Sequence, residues 1–250
     1  MSSAIIVIPC YNEAQRLPVQ QFKAFAKAGQ PQRFLFVNDG STDGTLQVLQ
    51  RLHDDDPQSF AFHDLPANMG KAEAVRRGLL RAFEAGPDYV GYWDADLATP
   101  LEAIPLFCEL MDATPEIEMV FGARVRLLGR AIERKASRHY LGRVFATAAS
   151  LALGLAIYDT QCGAKLLRAS PTIKGLFQQP FATRWLFDVE ILARLIQARQ
   201  GTKLPQAEDV IYEFPLLEWR DVAGSKVKAR DFVKSFFGLA LIYWKYLRPR

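Results

Sequence analysis

Short apolar runs that alternate with polar loops and helical segments constrain the fold of this chain most strongly. Residues 4–9 form a continuous apolar run rich in β-branched side chains, which is typical of a strand covered on both faces. Residues 33–38, 60–63, 89–93 and 119–123 are further strands, with helices expected at about 14–28, 46–52, 72–84 and 101–113. This alternation predicts an α/β fold with a mostly parallel, doubly wound sheet whose loops gather at one edge.

The strand at residues 89–93 ends in two carboxylates, Asp94 and Asp96. In an extended segment these side chains project on the same side, at the carboxyl end of the strand, where open α/β sheets bind ligands. Hard cations such as Mg²⁺ take one or two carboxylates together with substrate phosphates. The alternative is a polar turn before a helix, since Asp and Thr-Pro are common there.

Other features narrow the class of protein. No Gly-x-Gly-x-x-Gly follows the first strand and there is no P-loop, which counts against a dinucleotide-binding domain. Cys10, Cys108 and Cys162 are widely spaced without a metal-ligand pattern, so we expect reduced thiols in a cytosolic protein. The N-terminus shows no basic-then-apolar leader, so secretion is not expected.

Charge is divided unevenly along the chain. Residues 1–121 carry nine Lys and Arg against seventeen Asp and Glu, a net of −8, whereas the whole chain is +4, so residues 122–250 carry +12. A basic second half is typical of a protein with an anionic partner. The candidate partners are a membrane surface, a phosphate-bearing substrate and nucleic acid. A solvated basic face is the alternative.

Two apolar segments lie in this basic half. Residues 144–158 are uncharged but too short for a membrane span, which needs roughly 20 apolar residues, so they predict a core helix or one lying in a membrane interface. Residues 229–247 predict a helix in which aromatic and basic residues are interleaved. That pattern is typical of an amphipathic membrane-surface helix, and a terminal helix packed on the domain is the alternative.

Four motifs of the first half resemble those of family 2 glycosyltransferases, which have the GT-A nucleotide-sugar-binding fold. They stand in the family's order at strand ends and cover most of residues 4–124. The motifs are Val7–Glu13, Val37–Asp43, Asn68-x-Gly70-Lys71 and Asp94-Ala95-Asp96.

Motifs of the second half resemble the dolichyl-phosphate β-glucosyltransferase branch. Eukaryotic members of that branch usually begin with a membrane-spanning helix, which does not precede residue 4 here. The resemblance therefore implies a peripheral enzyme on the cytoplasmic face of the membrane, with a shorter polyprenyl phosphate as its lipid. The motifs are Gly122-Ala123-Arg124, Asp159–Gly163, Arg184–Glu190 and Gly224-Ser225-Lys226.

The resemblance implies inverting transfer of a sugar, with glucose favoured, from a UDP-sugar to a dolichyl or undecaprenyl phosphate. Asp96, with Asp94 nearby, would hold Mg²⁺ or Mn²⁺ on the diphosphate, and Asp188 would contact the sugar or act as an auxiliary base. Asp94, Asp96 and Asp188 are thus the candidate catalytic residues. The candidate nucleotide-sugar-binding residues are Pro9, Tyr11, Glu13, Asp39, Lys71, Asp94 and Ala95.

The acceptor phosphate requires positive charge, and planar guanidinium groups suit it. The candidates are Arg124, Arg134 and Arg138, with Ser225 and Lys226 on the C-terminal side. We expect a glycosyltransferase domain at residues 1–214 and an acceptor-side segment with the membrane-associating helix at residues 215–250. No nucleic acid partner is expected, and the oligomeric state is open.

Three rival functions are weighed against this one. A nucleotidyltransferase also pairs carboxylates with Mg²⁺, but it usually has a basic, Gly-rich loop after the first strand, where this chain has the acidic Cys10–Glu13. A non-catalytic binder of lipid phosphates does not need the Asp94 and Asp96 pair. A soluble family 2 enzyme acting on a saccharide or protein would share the whole first half.

Overall fold

A seven-stranded sheet with helices on both faces forms the centre of the molecule. The structure is a computed structural model that describes residues 2–133, 136–221 and 229–248, without the side chains of residues 136–141 and 229–233. The strands are β1 (Ala4–Cys10), β2 (Gln32–Asn38), β3 (Phe60–Asp64), β4 (Tyr89–Trp93), β5 (Met119–Ala123), β6 (Ala131–Glu133), β7 (Ala164–Arg168), β8 (Ile211–Pro215) and β9 (Glu218–Arg220). The helices are α1 (Val19–Lys27), α2 (Thr45–Asp55), α3 (Lys71–Glu84), α4 (Ala103–Ala113), α5 (Ala136–Leu153), α6 (Pro171–Gly175), α7 (Phe187–Arg199), α8 (Ala207–Val210) and α9 (Ala229–Ile242).

The strand order of the large sheet is β3-β2-β1-β4-β7-β5-β8. Only β7 within it runs antiparallel to its neighbours, β4 and β5, and the other pairs are parallel. This confirms the predicted mostly parallel sheet. The chain order reverses between β1 and β4, and open α/β sheets bind their ligands outside the carboxyl ends of the strands at such a point.

The central strands are apolar throughout because both of their faces are covered. On one face Val7 and Val37 pack with α3, α5, α7 and α9, and on the other Ile6 and Ile8 pack with α1, α2 and α4. Burial of this kind contributes about 25 cal/mol per Å² of apolar surface and holds the strand ends in fixed positions. A two-stranded ribbon of β6 and β9 lies outside the large sheet.

The predicted helices at residues 14–28 and 144–158 differ most from the observed ones, whereas the last predicted helix, 229–247, is helical over its whole length. The first begins at Val19 and not near residue 14, because residues 13–17 form a turn in which the Leu17 N–H donates to the Glu13 carbonyl, and Pro18 precedes the helix. The predicted helix at 144–158 is wrong at both ends: α5 begins at Ala136 and stops before Gly154, which has a φ of +67° that L-residues rarely adopt. The last helix, α9, continues after Ile242 as a π-helical turn, Tyr243–Leu247.

The C-terminal helix packs on the main core. Leu239 and Ile242 of α9 are buried in the cluster that contains α7, and the Tyr246 hydroxyl donates to Glu190 Oε1 at 2.7 Å. Among the described residues, no helix is long and apolar enough to cross a membrane. The division of the chain at residue 214 stays a prediction.

Candidate active site

The loops after β1 and β2 are tied together by backbone-to-side-chain hydrogen bonds. Asn12 has a φ of +54°, and its Oδ1 accepts from the Thr42 N–H at 2.9 Å. The Asn12 N–H donates to Ser41 Oγ at 3.0 Å, and the Glu13 N–H donates to Thr45 Oγ1 at 2.8 Å. The two loops therefore form one unit that leaves Tyr11 exposed at the carboxyl edge of the sheet.

Asp39, the residue after β2, is buried and holds the loop that leads into α3. Its Oδ1 accepts from the Met69 N–H at 2.7 Å, and its Oδ2 accepts from the Gly70 N–H at 2.9 Å and from Asn68 Nδ2 at 3.0 Å. Burial raises the pKa of Asp39, although these backbone donors oppose that shift. Asp39 thus fixes the residues just before Lys71.

The same loop packs closely against the backbone at Gly40. Gly40 has a φ of +61°, and a β-carbon there would overlap the backbone of Ala67 and Asn68. Only glycine fits a position that combines left-handed backbone with such contact. The Val37–Asp43 and Asn68–Lys71 motifs are therefore packed directly against each other.

Lys71 begins α3 and forms an ion pair with Asp94, the residue after β4. Both side chains are about one-third exposed, 34% for Lys71 and 36% for Asp94. Burial alone would lower the pKa of Lys71, but the Asp94 and Asp188 carboxylates outweigh it, so the pKa is raised. Lys71 is a firmly protonated ammonium at the centre of the site.

Asp96 lies in a turn and not in an extended segment. The Leu97 N–H donates to the Asp94 carbonyl at 3.1 Å, the Ala98 N–H donates to Asp96 Oδ1 at 3.1 Å, and Leu97 has a φ of +51°. A bulky residue with positive φ is a rare, strained conformation, and such strain clusters at functional sites. The strand-alternation argument for Asp94 and Asp96 was therefore wrong.

Asp94 and Asp96 are nevertheless close in space. The pKa of Asp96 is raised, mainly by burial and also by the negative charge of Asp94. Two neighbouring carboxylates of this kind form a hard oxygen donor set that fits Mg²⁺ or Mn²⁺ when substrate phosphates complete the coordination. Over the described part of the chain no cluster of three or more His, Cys, Asp or Glu side chains suits a metal.

Asp188 lies in the first turn of α7 and is 6% exposed. Its Oδ1 accepts from the hydroxyl of Tyr92 and from the ammonium of Lys165, the latter at 2.6 Å. Both of these hydrogen bonds go to Oδ1, and none to Oδ2 is found among the described residues. Burial and the Asp188 carboxylate raise the pKa of Tyr92, which remains a neutral donor.

Glu190 completes the same turn of α7. Its carboxylate is fully buried and accepts from the N–H groups of Ala182 and Thr183, at 2.9 and 3.1 Å, and from Arg194 Nη2 at 2.8 Å. The loop that it fixes carries Arg184 and Trp185, both exposed. Arg184 Nη2 donates to the Met69 carbonyl at 3.3 Å, so this guanidinium lies over the loop that leads to Lys71.

Arg124 follows β5 and forms a two-pronged ion pair with Asp159. Arg124 Nε and Nη2 lie 2.6 and 2.7 Å from the two Asp159 oxygens, and the guanidinium lies 5.2 Å from the ring centroid of Trp219. Burial would lower the pKa of Arg124, but Asp159 outweighs it and raises the pKa. Part of this guanidinium is thus committed to holding the Asp159–Gly163 segment.

Comparison with known proteins identifies the family. The sequence profile of glycosyl transferase family 2 matches residues 5–176, more than half of the chain. The chain belongs to glycosyl transferase family 2. It is therefore a glycosyltransferase, and the resemblance of its motifs to this family is confirmed.

Curated relatives of this glycosyltransferase include several dolichyl-phosphate β-glucosyltransferases. The protein of that name from Saccharomyces cerevisiae is 30% identical over 265 residues, which cover 97% of this chain and 74% of the relative. The Drosophila melanogaster protein is 33% identical, covering 89% of this chain and 68% of the relative. The chain thus falls in the branch that its second-half motifs indicate.

Solved structures confirm the GT-A type of fold. Glucosyl-3-phosphoglycerate synthase of Mycobacterium tuberculosis matches 100% of this chain and 82% of its own with a TM-score of 0.67 at 16% identity. The same enzyme solved with Mn²⁺, UDP and glucosyl-3-phosphoglycerate matches with a TM-score of 0.65 at 17% identity. Mannosyl-3-phosphoglycerate synthase of Rubrobacter xylanophilus gives 0.67 at 16% identity.

The structure of this glycosyltransferase brings many of the predicted site residues to one edge of the sheet. Ala95 is buried and Pro9 half-buried. Asp39 uses both of its oxygens on the loop before Lys71, so its contact with the base stays a prediction. Arg134, Ser225, Lys226 and the side chain of Arg138 lie outside the described residues.

Two residues of the site, Tyr92 and Lys165, were missed by sequence reasoning, and Gly163 was included only as the last residue of the Asp159–Gly163 motif, without its contact with Asp94. Tyr92 has the pattern of one more apolar residue of β4. A lysine inside the otherwise apolar run Ala164–Leu167 was a signal, because a charged residue in a covered strand needs a partner. That partner, Asp188, lies on a distant segment of the sequence.

Proposed function

We propose that this glycosyltransferase moves glucose from UDP-glucose to a polyprenyl phosphate with inversion of the anomeric carbon. The observation that supports this most is the constellation of Lys71, Asp94, Asp96 and Asp188 beyond the carboxyl end of β4, in a chain related to dolichyl-phosphate β-glucosyltransferases. A fold neighbour that was solved with Mn²⁺ and UDP-glucose is consistent with a uridine donor.

In the proposed reaction an oxygen of the acceptor phosphate attacks the anomeric carbon, and the bond from that carbon to the UDP oxygen breaks. The acceptor is a phosphate monoester with a second pKa of about 6, so it is already largely a dianion at neutral pH. A strong general base is therefore unnecessary. In this proposal Asp188 accepts a hydrogen bond from a sugar hydroxyl, and Lys71 adds positive charge near the leaving diphosphate.

We assign the metal site to Asp96, with Asp94 as the second oxygen donor. A Mg²⁺ or Mn²⁺ ion bound there supplies Lewis-acid neutralisation of the departing diphosphate. The protein's own part is to hold the two carboxylates in the strained turn at Leu97 and to keep Asp94 beside Lys71.

The nucleoside is assigned to the joined loops after β1 and β2. Tyr11 offers an exposed ring, and Pro9, Glu13, Asp39 and Ala95 stay the proposed neighbours of the base and ribose. The acceptor phosphate is assigned to Arg124, Arg134, Arg138, Ser225 and Lys226. Arg184, an exposed guanidinium over the Met69–Lys71 loop, is a further described cation on this edge.

We also propose peripheral attachment to the cytoplasmic face of a membrane. Phe237, Leu241 and Trp244 are spaced by four and three residues, so they form one outward stripe at the C-terminus, exposed by 74%, 48% and 61%. On α5, Val144 and Leu151 are exposed by 58% and 79%, and α5 packs on α9 through the rings of Phe145 and Phe236.

The buried side of α9 already packs on the core. The apolar residues on its opposite, exposed side therefore need another partner. Lys234, Lys245 and Arg248 are exposed beside the stripe. Lys and Arg near an anionic lipid surface contribute about 1 kcal/mol each, and buried apolar area adds to that. A bilayer with anionic headgroups matches both features and brings the lipid substrate to the enzyme.

The test is incubation with a panel of radiolabelled UDP- and GDP-sugars and a short-chain polyprenyl phosphate, followed by organic extraction. We expect label in the organic phase with UDP-glucose. Label that remains in water, attached to an added saccharide or protein, would identify the soluble family 2 function and overturn the lipid acceptor.

A further inference from the structure

Lys165 is a buried ammonium beneath the active site. It lies in β7, which runs between β4 and β5, and its exposure is 0%. Its strand partners are Tyr92 and Phe121, and the ammonium lies 5.4 and 5.1 Å from the centroids of their rings. A buried lysine is expected only where other groups compensate its charge and its hydrogen bonds.

All three donors of this ammonium are used. Lys165 Nζ donates to the Thr160 carbonyl at 3.1 Å, to the Cys162 carbonyl at 2.6 Å and to Asp188 Oδ1 at 2.6 Å. An ammonium group has three N–H bonds, so Lys165 has none left for a substrate. Because it is also inaccessible, any effect of Lys165 on the reaction must pass through its partners.

Two of these partners connect Lys165 to the two carboxylates of the site, Asp94 and Asp188. The carbonyl of Cys162 immediately precedes Gly163, whose own carbonyl accepts from the Asp94 N–H at 2.9 Å. Gly163 also lies against the Asp94 carboxylate, where a β-carbon would overlap it. On its other side Lys165 holds Asp188 at the start of α7 through Oδ1 of that carboxylate.

We propose that Lys165 is a positioning residue for glycosyl transfer, which sets Asp94 and Asp188 at a fixed separation without touching either substrate. The inference rests on the proposed function, since it takes Asp94 as a donor-side group and Asp188 as a sugar-side group. One cation neutralises Asp188 and anchors the turn behind Asp94. The two carboxylates, which come from segments far apart in sequence, are thereby held by a single group.

The first test is Lys165→Met, which keeps the length of the side chain and removes the ammonium. A misplacement of about 1 Å at a reacting group costs on the order of 100-fold in rate, and we expect a loss of kcat of that size. The KM for the donor should stay close to the wild-type value, because the nucleoside loops after β1 and β2 do not contact Lys165. A role in stability alone would lower the melting temperature and leave kcat per folded molecule unchanged.

A second test measures coupling between Lys165 and Asp188. Asp188→Asn keeps an oxygen acceptor at the same place and removes the charge. If Lys165 acts through Asp188, the double variant Lys165→Met, Asp188→Asn loses less kcat than the product of the two single losses. Losses that multiply would overturn the inference, as would wild-type kcat in folded Lys165→Met.

Arg199→Lys is the matched control. Arg199 is another buried cation, 1% exposed, at the far end of α7, where it pairs with Glu118 at 2.7 Å. We expect Arg199→Lys to lower the melting temperature without changing kcat.

If Lys165→Met does not fold, Lys165→Gln, which keeps a donor, takes its place, and wild-type kcat in that variant overturns the inference. Wild-type protein that transfers no sugar to lipid would instead contradict the proposed function.

Discussion

Gly163 lies so close to Asp94 that a β-carbon at residue 163 would overlap the Asp94 carboxylate. The two residues are also joined by the hydrogen bond from the Asp94 N–H to the Gly163 carbonyl. Gly163 therefore determines where Asp94 places its carboxylate and, through it, the ion pair with Lys71. The Asp159–Gly163 motif thus fixes Asp94 from a segment far along the chain.

Gly163→Ala should lower kcat by at least about tenfold, because the Asp94 carboxylate must move to make room for the methyl group. Steady-state kinetics on folded protein, monitored by circular dichroism, measures this. Gly175→Ala is the control, since a β-carbon at Gly175 meets no atom within 4 Å. Equal activity of the two variants would show that the position of Asp94 is not critical.

Asp96→Ala should abolish transfer while leaving the fold intact, because the lost group is a proposed metal ligand in a turn and not part of the core. Activity above about a tenth of wild type, a change of less than about 1.4 kcal/mol in the barrier, contradicts the metal role. Asp54→Ala, an exposed carboxylate in α2, is the control and should be fully active.

Asp39→Ala should destabilise the protein by about 1–3 kcal/mol, because the Met69 and Gly70 N–H groups lose a buried charged acceptor. Urea denaturation measures the free energy of unfolding. Asp55→Ala is the control: it removes a surface pair with Lys23, in which Asp55 is 55% exposed, and pairs of that kind contribute about 0–1 kcal/mol. An Asp39→Ala variant no less stable than the control would contradict the role assigned to Asp39.

UDP with Mn²⁺ should raise the melting temperature, and GDP with Mn²⁺ should not. A ligand that binds only the native state stabilises it by about 2.7 kcal/mol at a hundred times its dissociation constant. Differential scanning fluorimetry gives the shift for each nucleotide. A shift with GDP and none with UDP would reject the uridine donor.

Replacing Phe237, Leu241 and Trp244 together by Ser should abolish binding to vesicles that contain anionic lipid. The three side chains point outward, so the substitution leaves the buried Leu239 and Ile242 in place, which deletion of the helix would not. Sedimentation with liposomes at low and high salt measures binding, and wild-type binding should weaken with salt because exposed charges are screened.

Leu204→Ser is the control for this surface, since Leu204 is 46% exposed in the loop before α8. It should bind vesicles like the wild type. If the triple variant binds vesicles as well as Leu204→Ser does, the C-terminal stripe is not part of the membrane contact.

The sequence by itself determined the mostly parallel sheet and its central strands. The strands β1, β4 and β5 were predicted at or within a residue of their observed bounds, because strands covered on both faces carry continuous apolar runs. The alternation of strands and helices predicted that the loops gather at one edge, and the family resemblance of the motifs implied that Asp39, Lys71 and Asp94 share a pocket there. These properties depend on local pattern and chain order.

Only the tertiary structure decided what those side chains hold. Asp39 binds the loop before Lys71, Arg124 binds Asp159, and Lys165 joins Asp188 to the turn behind Asp94. Each of these contacts pairs residues from segments far apart in sequence, and hydrophobic periodicity carries no information about such pairs. The need for glycine at residue 163 likewise arises from the space that Asp94 occupies, which exists only once β4 and β7 lie side by side.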